Sequence, residues 1–445
     1  MHALLRVDGG PTIGYGHLMR MRALTEALQA AGHAVRVATA TPAPARAVLP
    51  DAVSVEPLPA RDAPAPLLAC IDRCAPDVVV TDAYPVDTAY QEAVRAAVPL
   101  AVVDDDARHA VCADWLINGN LYAASLAYAT AGPPPVWCVG PRFALVRRAV
   151  RTARVTPPSG RAVITFGGSD RAGLTPMAVA ACAELGIAAD AVVGPGVDAA
   201  VADATVAAAS AGDVRVVRAP DDLPERIAAA SFVLTTASST VHDSLTVQTP
   251  IIAAVVAANQ RPIAAHLAAE GLAIVLDGPV TARALRGALR TMATRRSLRD
   301  RFVACGADLV DGAGAARAVD QLEERVGGYR GLSSITSMRT VLVGNRRLMR
   351  HLLAAMLRAD WDVVGILGAA GTSAARQANA DSAAQLGAAH DIPVHETADI
   401  NGVATRRWLA ERRPGVCVCA GWHRPIDPEV LDIPTAGFIG FHASR

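Results

Sequence analysis

The feature that most constrains the fold is a repeated alternation of short Val- and Leu-rich runs with helical stretches. Between residue 1 and about residue 130, the runs ALLRVD, AVRVAT, DVVVTD and LAVVDDD are separated by segments with helical patterning, the first of which runs from about His17 to Ala31. Strands this uniformly apolar are buried on both faces, which is typical of a parallel sheet covered by helices. The sequence therefore predicts an α/β fold.

The alternation occurs three times along the chain. The second series starts at RAVITFGGSD, and three helical stretches close it between about residues 280 and 326, whereas the third series starts at RTVLVGN. We predict an N-terminal lobe at 1–145, a nucleotide-binding lobe at 146–326, a Gly- and Ser-containing linker at 327–337 and a third domain at 338–445. The third domain is short and stops directly after a strand, so we expect it to be truncated.

Composition argues against several classes of function. The 445 residues include 42 Lys+Arg and 42 Asp+Glu, so the zero net charge gives no electrostatic reason to expect a nucleic-acid or membrane partner. Lysine is absent from the sequence, which excludes a Schiff-base lysine and a P-loop lysine. The first residues lack the pattern of a signal peptide, and no apolar run is long enough to span a bilayer. We expect a cytoplasmic protein.

The eight cysteines are scattered and form no CxxC pair. We expect buried free thiols rather than metal ligands or disulfides. The cysteines are Cys70, Cys74, Cys112, Cys138, Cys182, Cys305, Cys417 and Cys419.

Acidic residues follow three of the predicted strands in the first lobe. They are Asp8, Asp82 and the run 104–106. In doubly wound sheets, ligands gather at the carboxyl ends of the strands, so these side chains mark a candidate site. The three consecutive aspartates also suit a divalent ion that serves a diphosphate, which is one alternative.

A histidine opens the first predicted helix, directly after a glycine-containing loop. The positive end of the helix favours a neutral imidazole at His17 that can act as a base, whereas a neighbouring carboxylate such as Asp8 would favour the charged form. The alternative is that His17 only caps the helix. Arg20 lies one turn later on the same face, where it either contacts sugar or phosphate or forms a surface salt bridge.

The motif RVDGGPTIGYGHLMR resembles the opening of the UDP-2,4-diacetamido-2,4,6-trideoxy-β-L-altropyranose hydrolases of pseudaminic acid biosynthesis. VTDAYPVD, VVDDDARHAVCADWLINGN and VGPRFALVRRAV resemble later blocks of that family in the same order, over about residues 1–325. The resemblance implies two Rossmann-like lobes of glycosyltransferase-B type, and metal-independent hydrolysis of the UDP-sugar with His17 as the base that activates water. We assign the sugar contacts to Asp8, Gly14, Gly16, Arg20, Asp82, Tyr84 and Asn118, although strand-end residues such as Asp82 and Tyr84 also stabilise loops.

Two blocks in the second lobe predict the nucleotide site. TFGGSDRAG is a glycine-rich turn whose amides suit a phosphate at a helix N-terminus, and TTASSTVHDSLTVQTP resembles the UDP-binding block of glycosyltransferase-B enzymes. Two departures from that block are Asp243 in place of a glutamate and Thr249 in place of a glycine. The predicted nucleotide contacts are Gly167, Gly168, Ser169, Ser238, Ser239, Thr240, Asp243, Asn259 and Gln260.

The third segment resembles the N-terminal part of 10-formyltetrahydrofolate-dependent formyltransferases. In GFIGFHASR, His442 and Ser444 match the histidine and serine of the catalytic strand, whereas Gly440 replaces its asparagine. The family's catalytic aspartate lies farther downstream than this sequence extends. The resemblance implies 10-formyltetrahydrofolate as cofactor of a complete domain, and no formyl transfer by this segment alone. It implies no cofactor for the hydrolase.

Two other functions stay open at this stage. The same lobes suit a UDP-sugar-dependent glycosyltransferase, in which an acceptor replaces water. A catalytically silent nucleotide-binding scaffold is the second alternative, and the replacement of glutamate by Asp243 favours it. Turnover of a UDP-sugar without acceptor separates these functions. The sequence predicts no oligomeric state.

Overall fold

The computed structural model describes residues 1–153, 159–336, 338–344, 347–359, 361–370, 383–420, 422 and 425–441. The chain divides into two compact units, Met1–Val326 and Gly327–Arg445. The first unit contains two parallel sheets and the second contains one. The predicted α/β class is therefore confirmed in each unit.

The first sheet has seven parallel strands. They are β1 (His2–Val7), β2 (Ala34–Thr39), β3 (Ser54–Pro57), β4 (Val78–Asp82), β5 (Leu100–Val103), β6 (Trp115–Asn118) and β7 (Val136–Val139). Their order is β3-β2-β1-β4-β5-β6-β7, so β1 and β4 are neighbours at the centre. All five residues of β4 are buried, as expected for a strand covered by helices on both faces.

Four helices accompany this sheet. They are α1 (Gly16–Ala30), α2 (Pro42–Val48), α3 (Ala65–Cys74) and α4 (Thr88–Arg95). The short helix α5 (Arg148–Thr152) follows β7, and its Val150 packs in the core of the second sheet. The β4–α4 connection ends at Asp87, whose carboxylate caps α4 by accepting a hydrogen bond from the amide of Tyr90 at 2.8 Å. That cap fixes where the loop after β4 ends.

The second sheet has six parallel strands in the order β10-β9-β8-β11-β12-β13. The strands are β8 (Ala162–Thr165), β9 (Ala189–Val193), β10 (Val214–Arg218), β11 (Val233–Thr236), β12 (Ile251–Ala254) and β13 (Ala273–Leu276). The helices are α6 (Thr175–Leu185), α7 (Ala199–Ala209), α8 (Leu223–Ala229), α9 (Thr240–Thr246), α10 (Arg261–Ala269), α11 (Ala282–Thr294), α12 (Arg296–Gly306) and α13 (Gly314–Thr336).

Helix α13 returns from the second lobe to the first. The indole N–H of Trp115 donates to the carbonyl of Gln321 at 3.0 Å, and His33 contacts Glu323. The segment predicted as a linker, 327–337, is helical as far as Thr336, because α13 continues into it. Glycines cost helix stability but do not forbid a helix, so the absence of periodicity there did not mean irregular structure.

The second unit, taken by itself, is a five-stranded parallel sheet in the order β16-β15-β14-β17-β18. The strands are β14 (Thr340–Gly344), β15 (Val363–Ala369), β16 (Val394–Thr397), β17 (Val416–Ala420) and β18 (Phe438–Phe441). The helices are α14 (Arg347–Arg358), α15 (Ala383–His390), α16 (Val403–Arg412) and α17 (Pro428–Leu431). His442 and Ser444, predicted from the formyltransferase resemblance, lie outside the described residues.

All eight cysteines are free thiols. Cys305 is exposed, so the expectation of burial is wrong for that residue, whereas Cys74 and Cys419 are half-buried and the other five are buried. Within the described part of the chain, no helix combines the length and the apolar character needed to cross a membrane.

Candidate active site

A histidine–aspartate pair lies where α1 begins and β4 ends. Nδ1 of His17 is 2.6 Å from Oδ1 of Asp82, and the carboxylate of Asp82 is almost completely buried. The residue that precedes α1 is Tyr15, whose side chain makes no capping hydrogen bond. His17 therefore lies inside the helix with its ring bound to Asp82, which excludes the alternative that it only caps the helix.

The surroundings of His17 fix its tautomer. Arg20 Nη2 is 2.9 Å from His17 Nδ1, and it also has a carboxylate acceptor for each of its two hydrogens, Asp82 Oδ1 at 2.8 Å and Asp105 Oδ2 at 3.0 Å. A guanidinium can only donate, whereas a carboxylate can only accept, so Nδ1 carries the proton and donates it to Asp82. The lone pair of Nε2 is then available for a substrate proton.

Arg20 links two strand ends. It donates to both carboxylate oxygens of Asp82 and to both of Asp105, which follows β5. Burial acts to raise the pKa of Asp105, but the Arg20 charge and its hydrogen bonds prevail and hold that pKa at about 2. Asn120 also donates to Asp105, at 2.8 Å. In place of the alternative of a surface salt bridge, Arg20 forms a half-buried network beside His17, and its contact with the substrate stays a prediction.

Two predicted sugar contacts lie behind this network. Asn118 is buried and accepts hydrogen bonds from Asn120, so it orients the residue that reaches Asp105. Asp8 is also buried, and its carboxylate is bound to Arg6 at 2.7 Å and to the amide of Ala40 at 2.8 Å. The carboxylate beside His17 is therefore that of Asp82, and the prediction that Asp8 could fill that position is wrong.

The three consecutive aspartates do not converge on one point. Asp104 accepts hydrogen bonds from the amides of Asp106 and Ala107, and the side chain of Asp106 pairs with Arg108. Asp105 is engaged by Arg20. Because each carboxylate has a different partner, their arrangement among the described residues does not support the alternative of a metal triad.

Tyr84 and Asn259 connect the two lobes. The ring of Tyr84 lies edge-on to that of His17, with centroids 4.9 Å apart, and its hydroxyl accepts a hydrogen bond from Nδ2 of Asn259 at 3.1 Å. Tyr84 follows β4 and Asn259 follows β12. Residues predicted separately for sugar and nucleotide therefore meet at the cleft between the lobes.

Glycines shape the loop before α1 and allow the second lobe to approach it closely. Gly14 has a φ of 103° and forms a two-way backbone bridge with Gly10, so the loop before α1 closes on itself. A Cβ at Gly168 would lie 2.6 Å from the ring of Tyr15. Gly168 thus makes room for an aromatic side chain of the first lobe. Gly16 starts α1, and a Cβ added there would have no neighbouring atom within 4 Å.

The glycine-rich turn after β8 does not present a helix N-terminus to a phosphate. Asp170 accepts hydrogen bonds from the amides of Leu174 and Thr175, at 3.0 and 2.9 Å. The start of α6 is therefore already capped, which corrects that part of the prediction. Gly167, with a φ of 81°, and Ser169 remain in the turn itself.

The block after β11 keeps two amides open. The N–H groups of Ser239 and Thr240 have no acceptor among the described residues, whereas Ser238 is bound through its hydroxyl to Thr236 at 2.9 Å. Asp243 lies 3.6 Å from Arg147, yet burial prevails and raises its pKa. The Oε1 atom of Gln260 accepts a hydrogen bond from the amide of Val256, so the side chain of Gln260 stabilises the loop after β12.

His242 is a site residue that the sequence reasoning missed. Its Nε2 is buried and has no hydrogen-bond partner among the described residues. Burial lowers its pKa to about 4, with a further lowering by Arg20 and an opposing effect of Asp105, both from the other lobe. In the sequence, only its position beside Asp243 in the nucleotide block could have indicated that His242 belongs to the site. Its proximity to Arg20 depends on the tertiary fold.

We expect the stability of the protein to fall as the pH is lowered from 6.5 towards 4. The folded protein keeps His242 neutral down to a pH of about 4, whereas the unfolded chain takes up a proton at the ordinary pKa of 6.5. The extra proton bound by the unfolded state therefore lowers stability progressively between pH 6.5 and pH 4. The expected loss between pH 7 and pH 5 is about 2 kcal/mol. Urea unfolding of the wild type and of His242→Gln at both pH values measures it, and an equal pH dependence in the two proteins would contradict the expectation.

Comparisons with known proteins give a structural match but no sequence match. No protein-family model matches the chain, and no curated protein matches it. Among solved structures, MurG of Acinetobacter baumannii has a TM-score of 0.51 at 16% identity and covers 73% of this chain and 99% of its own. The spinosyn forosaminyltransferase SpnP has a TM-score of 0.53 at 16% identity, and the match covers 74% of this chain and 99% of SpnP. The spinosyn rhamnosyltransferase SpnG, complexed with thymidine diphosphate, has a TM-score of 0.50 at 18% identity, and the match covers 73% of this chain and 100% of SpnG.

These matches confirm the fold of two Rossmann-like lobes of glycosyltransferase-B type. They also overturn two expectations. The neighbours are glycosyltransferases, and none of the comparisons supports the pseudaminic acid hydrolase family or a formyltransferase domain. The physical reason is that a glycine loop followed by a histidine at the start of α1 belongs to the architecture of the first lobe, and that feature does not by itself select water as the acceptor.

Proposed function

We propose that unit 1 is a glycosyltransferase that moves a sugar from a nucleoside-diphosphate donor to the hydroxyl of an acceptor. The observation that carries the proposal is the His17–Asp82 pair, whose geometry leaves a basic nitrogen at the cleft between two lobes. The similarity to MurG, SpnP and SpnG supports the same class of reaction. The acceptor replaces water in this reaction.

The proposed chemistry is a single displacement. Nε2 of His17 takes the proton of the acceptor hydroxyl as its oxygen attacks the anomeric carbon, and the bond from that carbon to the diphosphate oxygen breaks with its electron pair on the diphosphate. Asp82 holds the ring in the required tautomer and stabilises the imidazolium that forms. No residue of the chain is acylated or glycosylated along this route.

Arg20 has a positioning role in this proposal. Its hydrogen bonds to Asp82 and Asp105 hold the aspartate partner of His17 in place, and its charge lies beside the ring. Because Asp105 keeps a pKa of about 2, the network stays charged throughout the neutral range. The carboxylates of Asp82 and Asp105 together with the guanidinium of Arg20 carry a net charge of one negative unit. This negative charge favours the imidazolium that forms in the transition state.

The proposed donor site lies in the second lobe. The open amides of Ser239 and Thr240 suit the oxygens of a diphosphate, and Asp243 is placed one turn later to accept hydrogen bonds from ribose hydroxyls. SpnG is described as complexed with thymidine diphosphate, which supports a nucleoside diphosphate as the leaving group here.

We expect the product glycoside to have the anomeric configuration opposite to that of the donor. A single displacement with His17 as base inverts the reacting carbon, whereas a route through a glycosylated side chain retains it. The coupling constant of the anomeric proton in the isolated product, compared with that of the donor, measures the outcome by NMR. Retention of configuration would contradict the proposed role of His17.

A further inference from the structure

Two cysteines and a glutamate meet at the edge of the first sheet, apart from the cleft residues. Cys70 and Cys74 lie one turn apart on α3, so their thiols share one face of the helix, with the Sγ atoms 3.8 Å apart. Glu56 lies on the edge strand β3. A carboxylate oxygen of Glu56 and both sulfurs lie within 4.8 Å of one another.

The spacing of the two sulfurs matches a tetrahedral metal ion. With a zinc–sulfur bond of about 2.3 Å and a tetrahedral angle, two thiolates on one ion are separated by about 3.8 Å. Cys70 and Cys74 already have that separation. A carboxylate oxygen at about 2.1 Å from the same ion would lie about 3.6 Å from each sulfur, and a Glu56 oxygen already lies within 4.8 Å of both.

The carboxylate is held in place from its other side. Arg36 donates to Oε1 of Glu56 at 2.9 Å, and the hydroxyl of Ser54 donates to the same oxygen at 3.3 Å. Among the described residues, no donor is bound to Oε2, so that oxygen is the one available to a cation. An outer partner that orients a ligating carboxylate is a regular feature of metal sites.

We propose that Glu56, Cys70 and Cys74 bind a thiophilic divalent cation such as Zn²⁺, with water as the fourth ligand. Binding replaces the two thiol protons by the cation, and it fastens β3 to α3. Thiolate ligands select zinc and cadmium over magnesium and calcium. The proposed site is separate from glycosyl transfer, and it gives these two free thiols a role that the sequence did not predict.

Cadmium is the probe for this site, because a cadmium–thiolate bond gives an ultraviolet charge-transfer band. The full chain is titrated with Cd²⁺ in a Cys305→Ser background, which removes the exposed thiol. We expect one equivalent to bind with two thiolates. We also expect Zn²⁺ to raise the unfolding temperature of this protein, since a ligand that binds only the folded state stabilises it.

The variants separate the cluster from thiols in general. Cys70→Ser and Cys74→Ser are each expected to lose the band and at least 100-fold in affinity, and Glu56→Gln about 10- to 100-fold. Cys138→Ser removes a buried thiol outside the cluster and is expected to bind as before. A band of equal strength in Cys70→Ser, Cys74→Ser and Cys138→Ser, or no binding by the parent protein, would overturn the proposal. So would a disulfide between Cys70 and Cys74 in the protein as isolated under reducing conditions.

Discussion

His17→Ala is expected to lower kcat by about 10²- to 10⁴-fold, the range associated with loss of a general base. The substitution removes the imidazole that Asp82 orients, and leaves Arg20 bound to the carboxylates of Asp82 and Asp105. The donor KM is expected to change little, because the proposed donor contacts belong to the second lobe. Initial rates of nucleoside-diphosphate release with acceptor present give both constants.

His2→Ala is the matched control for that variant, since His2 is an exposed histidine at the start of β1. It is expected to keep the wild-type kcat. Equal rates for wild type and His17→Ala would mean that His17 has no role in proton transfer, provided that circular dichroism shows both proteins folded. Such a result would favour the catalytically silent or differently organised site.

Asp82→Asn is the second substitution with a large expected effect, again about 10²- to 10⁴-fold in kcat. An asparagine side chain has one oxygen that accepts hydrogen bonds and an NH2 group that only donates, so it cannot replace both carboxylate oxygens of Asp82. The imidazole therefore loses the partner that fixes its tautomer and stabilises its charged form. Arg20 keeps Asp105 as an ion-pair partner, which limits the cost to folding.

Asp87→Asn is the control for this second variant. Asp87 lies five residues farther along the same loop and caps α4, a position at which asparagine serves as well as aspartate. Its activity and unfolding temperature are expected to stay near those of the wild type. If Asp82→Asn retained full activity with an unchanged pH profile, orientation of His17 by Asp82 would not contribute to the reaction.

The sequence predicted the parts of this site that depend on local pattern. The apolar runs indicate where the strands end. Asp82 is the last residue of β4 and Asp105 follows β5, and these strands are neighbours in the sheet. His17 and Arg20 are three residues apart on α1, so one helix face presents both. These relations follow from the periods of strands and helices alone.

The sequence could not decide between Asp8 and Asp82. Both follow apolar runs, and in the structure Val7 is in register with Asp82 on adjacent strands, so the two carboxylates occupy equivalent levels of the sheet. Asp8 turns to Thr39 and Ala40 beside β2, whereas Asp82 turns to α1. That choice depends on packing of neighbouring strands, as does the approach of His242 to Arg20.

The identity of the acceptor was the other limit of the sequence. The motif match assigned water as the acceptor, whereas the solved structures that share the fold are glycosyltransferases, and one fold serves enzymes with different acceptors. Likewise, nothing in the sequence indicates that Glu56 lies beside the thiols of Cys70 and Cys74, because that proximity depends on the packing of β3 and α3.

Acceptor dependence is the most direct test of the proposed transferase. The full chain is incubated with UDP- and TDP-sugars, with and without a panel of acceptor alcohols, and release of nucleoside diphosphate is followed together with formation of the glycoside. We expect release to require an acceptor and to match the glycoside formed mole for mole. Rapid release at the same rate in water alone, with no glycoside formed, would contradict glycosyl transfer as the function of this protein.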